Sequence, residues 1–344
     1  MDSLCIPISH DIYASLVKEC TIAGDSHRAR ELHDHIKDSH IKPTLPLLNR
    51  LLLMHVSCGR IHPARNLFDV MPLKDRNSWA IMIVGYVNID DYEEAINLFV
   101  QMQGERQCSP MLEFPAWIIV LVLKACVLTG NMGLGKQVHG FLLKLGGVND
   151  SSSTASSLIN FYGKFRCLDD ATFVFDQMLC RDTVIWTARI VNSCREGHFH
   201  EVINDFLGMG RQGIKWNSFT FSSVLKACAG INDGGECGRQ VHANAIKLGI
   251  ESDVFVQCGL IDMYRKCVLL IDAKRVFEMI SHKRNPACWN AMLMGYLHNG
   301  FYVEAIKFLY KMKTAGMEVQ ESLVNEVRIV CGSKIHENSI ECNN

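Results

Sequence analysis

The sequence predicts an all-α, right-handed superhelical solenoid of about nine helix-turn-helix repeats of about 35 residues. The first observation behind this prediction is that LKAC at 123–126 returns at 225–228, with LVKEC at 16–20 as a looser copy. Three tryptophans recur at a similar spacing of just over 100 residues: Trp79, Trp186 and Trp289. A long period of this kind indicates a repeat architecture and predicts three copies of one block.

A shorter period divides each block. Each repeat has a small or apolar residue followed three and four positions later by larger ones, and these anchors are 34.5 residues apart on average. The anchors are Ala29, Ala64, Ala95, Gly135, Ala171, Val202, Gly238, Ala273 and Ala305. Three positions after the anchor, eight of the nine repeats carry Leu, Val or Phe, and Asp205 is the exception. We therefore expect nine repeats over residues 10–320, between a short segment 1–9 and a tail or partial repeat 321–344.

The last repeat shows how each unit is built. Its first half places apolar residues at i, i+3, i+4 and i+7, which is one face of a helix: Trp289, Met292, Leu293 and Tyr296. HNG at 298–300 ends that helix, and a second begins at about Tyr302 and ends at about Ala315. Because one helix pair cannot bury its own apolar face, neighbouring pairs must stack, and the product is a solenoid.

Composition limits the classes of function. The chain has 344 residues, is 48% hydrophobic and has a formal net charge of −1, so no overall positive field attracts it to nucleic acid or to a membrane. Its 15 cysteines form no C-x-x-C pair, which argues against a zinc site and suits a reducing compartment. The longest apolar run, 117–123, is far shorter than the roughly 18 residues of a membrane span. No transit peptide is visible in the first residues.

One stretch resembles a phosphate-binding loop. GNMGLGKQVH at 130–139 places Gly130, Gly135 and Lys136 at the right spacing, but Gln137 stands where Ser or Thr would contact magnesium. The equivalent stretches 23–33 and 231–242 keep only the final His. We therefore expect a turn at Gly130 and a second helix through Lys136, with no nucleotide cofactor.

The recurring histidines and cysteines have the same structural interpretation. The histidines take the place of the core Phe of other repeats, about 100 residues apart: His33, His139 and His242. We expect hydrogen-bonded packing residues, and neither a metal site nor catalytic residues. The cysteines hold a periodic helical position that favours small buried side chains: Cys20, Cys126 and Cys228.

The motifs resemble the pentatricopeptide repeat (PPR) proteins of plants, in the PLS-type subfamily whose units alternate in long, short and standard lengths. VLKACAG and GRQVHANAIKLGIESD, within 224–253, are similar to its long unit. VFVQCGLIDMYRKC and DAKRVFEMI, within 254–280, are similar to its short unit, and CWNAMLMGYLHNGFYVEAIKFLYKM at 288–312 resembles its standard unit. The resemblance covers about 310 residues and gives three long, short and standard triplets.

The resemblance implies an RNA-binding adaptor without enzyme activity. PPR proteins of this kind bind single-stranded RNA in mitochondria or chloroplasts and serve RNA editing, splicing or transcript stability, with one base read per repeat. Some carry a zinc deaminase with H-x-E and C-x-x-C signatures, and neither signature occurs here. If the chain serves editing, factors supplied in trans must perform the chemistry. No membrane and no small-molecule substrate is implied.

The resemblance also implies which residues read bases, namely the fifth and the last residue of each repeat. The fifth residues are Ala14, Asn49, Ala80, Val120, Ser156, Thr187, Ser222, Cys258 and Asn290. The last residues are Thr44, Asp75, Pro115, Ser151, Asp182, Asn217, Asp253, Asn285 and Gln320. By the family's pairing, Asn49 with Asp75 implies uracil, Ser156 with Asp182 guanine, Thr187 with Asn217 adenine, and Ser222 with Asp253 guanine. Four fifth residues depart from the polar pattern: Ala14, Ala80, Val120 and Cys258.

A second hypothesis is a helical-repeat scaffold for protein–protein interaction. Tetratricopeptide arrays have a similar period, and both the near-zero net charge and the four apolar or thiol fifth positions favour such a scaffold. A nucleotide-dependent enzyme that uses GNMGLGK is the third hypothesis, and the missing magnesium hydroxyl and the missing βαβ pattern argue against it.

Overall fold

The computed structural model describes residues 9–39, 42–106, 115–144, 151–231, 233–280, 285–319 and 321–329. These residues form helices and connecting turns, with no strand among them. The chain divides into two compact bodies, Met1–Phe165 and Arg166–Asn344, and the division falls between the two helices of the fifth repeat. No helix within the described ranges is long and apolar enough to cross a membrane.

The helices follow the predicted repeats. Those of the first body are α1 His10–Ala23, α2 Ser26–Asp38, α3 Leu45–Ser57, α4 Ile61–Val70, α5 Arg76–Asn88, α6 Tyr92–Arg106, α7 Ala116–Leu128, α8 Met132–Lys144 and α9 Ser152–Lys164. Those of the second body are α10 Leu168–Gln177, α11 Thr183–Glu196, α12 Phe199–Arg211, α13 Ser218–Cys228, α14 Glu236–Lys247, α15 Val254–Lys266, α16 Leu270–Met279, α17 Pro286–His298 and α18 Tyr302–Thr314. A further helical segment covers 321–329. The predicted all-helical array is confirmed.

The first helices of successive repeats pack side by side. In the first body α3 contacts α1 and α5, and α7 contacts α5 and α9; in the second body α13 contacts α11 and α15, and α15 also contacts α17. Second helices such as α4 and α12 contact the first helix of the next repeat. Each body is therefore built from a continuous row of first helices, and any residue that recurs at one position of the repeat recurs along that row.

The turn inside each repeat requires a left-handed residue at its fifteenth position. Gly occupies this position in five repeats, with φ between 65° and 84°: Gly24, Gly59, Gly130, Gly197 and Gly300. In three others it is Asp90, Arg166 or Val268, with φ near 60°. The equivalent residue of the seventh repeat, 232, lies outside the described residues. Val268 is a β-branched residue in a conformation that β-branched side chains disfavour, so it stores strain.

Tryptophan and phenylalanine join the short repeat of each triplet to the standard one. The ring of Trp79 packs edge-on against Phe68 with the centroids 4.8 Å apart. The same contact recurs between Trp186 and Phe175 at 4.9 Å, and between Trp289 and Phe277 at 4.9 Å. Both rings of each pair are buried. The period of just over 100 residues that the tryptophans show in the sequence therefore reflects one repeated core contact.

The recurring histidines join each long repeat to the short repeat that follows it. His139 Nδ1 lies 2.8 Å from the hydroxyl oxygen of Tyr162, and His242 Nδ1 lies 2.9 Å from that of Tyr264. In the first triplet the tyrosine is replaced by His55, whose Nε2 lies 2.7 Å from His33 Nδ1. These contacts confirm the expectation of hydrogen-bonded packing residues.

Asp205, the exception in the apolar pattern, is compensated by an arginine. Its carboxylate accepts a hydrogen bond from Arg189 Nε at 2.8 Å, and the guanidinium carbon of Arg189 lies 4.4 Å from the centroid of the Phe175 ring. Burial raises the pKa of Asp205 against the opposing effect of Arg189. In the other standard repeats the two equivalent positions are apolar and buried: Met82 with Leu98, and Met292 with Phe308. The sixth repeat thus has an ion pair where its counterparts have two buried apolar residues.

Candidate functional site

The residues proposed to read bases occupy two fixed positions in the structure. Every fifth residue from Ala14 to Asn290 is the fifth residue of a first helix, that is, of an odd-numbered helix. Last residues hold the N-cap position of the next first helix, immediately before it begins: Thr44, Asp75, Pro115, Ser151, Asp182, Asn217, Asp253 and Asn285. The ninth, Gln320, lies outside the described residues. The register of the sequence alignment therefore coincides with helix geometry.

The fifth residues are not on a solvated helix face. Asn49 and Ser156 are buried, whereas Thr187, Ser222 and Asn290 are half-buried. They lie on the first helices that contact one another along each row. A polar side chain in such a position has lost part of its water, so each hydrogen bond it makes with a ligand is stronger than on an exposed face.

In the second repeat the predicted pair is in direct contact. Asn49 Nδ2 donates to Asp75 Oδ1 at 2.9 Å. Ser78, the third residue of α5, donates through Oγ to Asn49 Oδ1 at 2.7 Å. Asp75 also caps α5 by accepting from the backbone N–H of Ser78 at 2.9 Å. The amide of Asn49 is thus oriented at both ends, with one N–H and one carbonyl lone pair left for a ligand.

Asp75 remains ionised in this network. Burial by itself would raise its pKa, but hydrogen bonds, chiefly from the Ser78 backbone N–H and the Asn49 amide, outweigh burial and lower the pKa of Asp75 below its usual value. The carboxylate can therefore act only as an acceptor toward Asn49. This fixes the amide with its nitrogen toward Asp75, because the opposite orientation would place two acceptors together.

The sixth repeat connects its pair through an intermediate hydroxyl. Thr187 Oγ1 lies 2.9 Å from Thr220 Oγ1, and Thr220 Oγ1 lies 2.9 Å from Asn217 Oδ1. Thr220 is the third residue of α13, the position that Ser78 holds in α5. Thr187 Oγ1 also lies 2.6 Å from the carbonyl oxygen of Thr183, one turn earlier. Asn217 and Thr187 are therefore connected, but not in direct contact.

In the seventh repeat the predicted pair is not joined by a hydrogen bond. Among the hydrogen bonds of the described residues, none joins Ser222 to Asp253, and Asp253 Oδ2 accepts from Ser218 Oγ at 2.9 Å. Ser156 belongs to the first body and Asp182 to the second. Ser156 Oγ donates to the Ser153 carbonyl, while Asp182 caps α11 by accepting from two backbone N–H groups. The partner of Asn290, Gln320, lies outside the described residues.

Sequence reasoning missed a set of exposed apolar residues beside these pairs. They are the second residues of first helices, and each is about half exposed: Trp117, Val184, Phe219 and Phe255. The rings of Phe219 and Phe255 lie 5.2 Å apart at an interplanar angle of 34°. The sequence contains a signal for these residues. An apolar residue three positions before the fifth residue lies outside the apolar stripe by which the helix packs, so it is expected to be exposed. The three aromatic members of this set provide flat faces on which an unpaired base could stack.

The phosphate-loop hypothesis is excluded by the local structure. Gly130 is a turn residue with φ of 70°, and Met132–Lys144 is a helix. The backbone N–H of Gly135 donates to the carbonyl of Asn131, the residue immediately before that helix, so this N–H is not available to a phosphate. A Cβ at Gly135 would lie 2.1 Å from Phe161 Cζ, which explains why only Gly fits.

The three recurring cysteines are buried packing residues, as the sequence predicts. Cys20, Cys126 and Cys228 are buried, and burial raises the pKa of Cys126 to about 11. Within the described ranges, no group of three or more His, Cys, Asp or Glu side chains could hold a metal ion.

Comparison with known proteins gives consistent matches. The chain matches the PPR repeat over 78–106, 153–182 and 287–317, and the pentatricopeptide repeat domain over 6–57. A pentatricopeptide repeat-containing protein of Arabidopsis thaliana is 49% identical over 330 residues, which covers 96% of this chain and 80% of that protein. A chloroplastic and a mitochondrial relative from the same plant are 33% and 32% identical over 92% and 88% of this chain. The chain spans 50% and 39% of the length of these two relatives.

Solved structures match over nearly the whole chain. The crystal structure of the pentatricopeptide repeat protein PPR10 in complex with an 18-nucleotide psaJ RNA element has a TM-score of 0.66 and 14% identity. It covers 98% of this chain and 56% of that one. At this identity the likeness concerns the fold, an array of helix pairs.

Proposed function

The chain belongs to the pentatricopeptide repeat family, and from that premise we propose that it is a sequence-specific adaptor for single-stranded RNA. Each repeat of the row reads at most one base, because successive first helices present equivalent positions at a regular rise. The proposal includes no catalysis by this chain. Several relatives are named mitochondrial or chloroplastic, which supports a role in organellar RNA metabolism such as editing, splicing or transcript stability.

The observation that carries the proposal is the oriented amide of Asn49. Its contacts with Asp75 and Ser78 leave one donor and one acceptor side by side. Uracil offers a matching pair, a carbonyl oxygen and the adjacent N3–H, to a side chain that approaches its Watson–Crick edge. Packing does not require a buried, preoriented amide at this position, because an apolar residue such as Ala80 fills it in another repeat.

The sixth repeat supports the same proposal for adenine. The Thr187 hydroxyl proton is held within the protein, by the Thr183 carbonyl or by Thr220, so Thr187 presents a lone pair to a base. Adenine has an amino donor where guanine has a carbonyl acceptor. We assign guanine to Ser156 with Asp182 and to Ser222 with Asp253, and we include Asn290 as a reader whose base is unassigned.

The exposed second residues complete the proposed interface. A base held by Ser222 would lie close to Phe219, which precedes Ser222 by three positions on the same helix and whose ring lies 5.2 Å from that of Phe255. Stacking on an aromatic ring contributes about 1–3 kcal/mol per base and tolerates any sequence. It supplies affinity, whereas the fifth and last residues supply the choice of base.

Binding to a defined RNA tests the proposal. The probe is a nine-nucleotide RNA with uracil second, guanine fifth and adenine sixth, in the order implied by the family, and the control is its scrambled sequence. We expect the wild-type chain to prefer the probe, and Asn49→Ala or Thr187→Ala to reduce that preference by roughly tenfold, since each change removes one or two hydrogen bonds to a base. Asn97→Ala, exposed on α6, is the matched control and should change nothing.

A protein-binding scaffold is the second candidate. The net charge of −1 and the fifth residues Ala14, Ala80, Val120 and Cys258 favour it, because neither feature contributes to RNA recognition. If Asn49→Ala and Thr187→Ala leave RNA affinity and preference unchanged while a protein partner binds tightly, the scaffold is the correct function.

A further inference from the structure

We propose that Ser78 and Thr220, the third residues of the third and seventh repeats, are positioning residues that set the base preference of the repeats before them. This inference rests on the proposed RNA-binding function and extends it to a position outside the fifth and last residues. Its physical basis is that the fifth residue of one repeat contacts the third residue of the next.

The contact recurs in three places with different chemistry. Asn49 accepts from Ser78 at 2.7 Å, and Thr187 lies 2.9 Å from Thr220. In the eighth repeat the thiols of Cys258 and Cys288 share a hydrogen bond, and Cys288 is again the third residue of the next first helix. The recurrence shows that the contact follows from the packing of adjacent first helices rather than from a single side-chain rotamer.

A capping box holds the Ser78 hydroxyl in place. Ser78 Oγ accepts from the Asp75 backbone N–H at 3.2 Å, while the Ser78 N–H donates to Asp75 Oδ1. With these two bonds made, the single hydroxyl proton is left for the Asn49 carbonyl or the Asp75 carboxylate. The shorter distance, 2.7 Å, is to Asn49. Ser78 therefore transmits the fixed geometry of a helix N-terminus to the amide that reads the base.

Thr220 forms the corresponding capping box with Asn217. Asn217 Oδ1 accepts from the Thr220 backbone N–H at 2.8 Å, and the Asn217 N–H donates to Thr220 Oγ1 at 3.4 Å. Among the first helices in the described ranges, only α5 and α13 carry this reciprocal box. α5 and α13 are the first helices of the repeats that follow Asn49 and Thr187. The reciprocal capping box therefore occurs in the two places where the fifth and last residues are connected by hydrogen bonds.

Repeats without a hydroxyl at this position lack the connection. Val256 is the third residue after Asp253, and it has no polar atom to link Asp253 to Ser222. Asp253 instead accepts from Ser218, the first residue of the seventh repeat. We therefore infer that the seventh repeat discriminates between bases more weakly than the second and sixth.

The test compares base preference at two positions of one RNA. The ratio of uracil to cytosine affinity is measured opposite the second repeat, and the ratio of adenine to guanine affinity opposite the sixth, by fluorescence anisotropy with the full chain. Ser78→Ala should lower the first ratio about fivefold, the equivalent of one hydrogen bond, and leave the second unchanged. Thr220→Val, which is isosteric, should lower the second ratio about fivefold and leave the first unchanged. Each variant is thus the control for the other.

Conservative exchanges separate positioning from simple stabilisation. Ser78→Thr and Thr220→Ser keep the hydroxyl, and each places at one site the residue that the other site carries naturally, so both ratios should stay at the wild-type values. A loss of folding would weaken binding to every RNA equally and leave the ratios unchanged. Circular dichroism monitors the fold of each variant.

The outcomes distinguish this inference from the proposed function. If the wild-type chain shows the two preferences but Ser78→Ala and Thr220→Val retain them, the third residue has no positioning role and the inference is wrong, whereas RNA binding stands. If the wild-type chain has no base preference at either position, the proposed function fails and this inference fails with it.

Discussion

Acidification from about pH 7 to about pH 5 is expected to lower the unfolding free energy of the first body less in the variant His55→Tyr than in the wild type. The expected difference between the two losses is about 2 kcal/mol. His55 is fully buried, with its Nε2 2.7 Å from His33 Nδ1. Burial, together with the nearby charges that protonated His33 and Arg60 would carry, lowers the pKa of His55 from 6.5 to about 3. Tyr162 and Tyr264 hold the equivalent position in the other triplets, so the packing already accepts a tyrosine.

The direction in which stability changes with pH depends on whether the folded or the unfolded chain binds the proton of His55 more tightly. The unfolded chain protonates His55 near pH 6.5, whereas the folded chain does so only near pH 3. Stability is therefore fully present above pH 6.5 and is lost as the pH falls toward 3, by about 1.36 kcal/mol per pH unit for one proton. At about pH 5 the loss from His55 is about 2 kcal/mol. His33, whose pKa is also lowered by burial, acts in the same direction in both proteins.

The assay is urea unfolding followed by circular dichroism, for the wild type and His55→Tyr at each pH. Tyrosine does not titrate in this range and keeps a hydrogen bond to His33, so the free energy of unfolding of the variant should fall less on acidification. Equal acid sensitivity of the two proteins would refute the argument that His55 is neutral in the folded state. His62→Tyr, an exposed site on α4, is the control and should leave the acid sensitivity as in wild type.

Three further changes test packing, charge and backbone strain. Gly135→Ala should destabilise the chain by about 1–3 kcal/mol in thermal unfolding, because its Cβ would overlap the buried ring of Phe161. Gly140 lies on the same helix with open space around it, so Gly140→Ala should be neutral or stabilising. Asp205→Leu should cost about 2 kcal/mol, because Arg189 would keep only its 4.0 Å contact with the exposed carboxylate of Asp176. The double variant with Arg189→Met should recover that loss, since breaking a partly buried ion pair costs more than replacing it; additive losses in a double-mutant cycle would contradict this. Val268→Gly should stabilise by about 1 kcal/mol in urea unfolding, because the residue has φ of 63° and is 69% exposed; an unchanged midpoint would show that the turn is unstrained.

Much of the fold could be predicted because local rules repeat along the chain. Apolar residues at helical spacing located the helices, and Gly at the turn of most repeats located their ends. Asp, Asn or Ser stands at most N-cap positions of the first helices, where a side chain accepts from backbone N–H groups, and the last residues from Thr44 to Asn285 occupy these positions. The interpretation of GNMGLGKQVH as turn and helix also held, since Gly130 and Gly135 meet two separate local requirements of the backbone.

The sequence by itself thus determined the repeat period, the helix pair of the last repeat and the register of the candidate reading residues, since these depend on interactions within a few residues. Only the tertiary structure decided which of those residues are connected. Asn49 meets Asp75 and Ser78 across 26 and 29 positions, while Ser218 rather than Ser222 meets Asp253 across 35. The reason is physical: contacts between repeats depend on the packing of adjacent helices and on the rotamers it allows, and no local pattern encodes either.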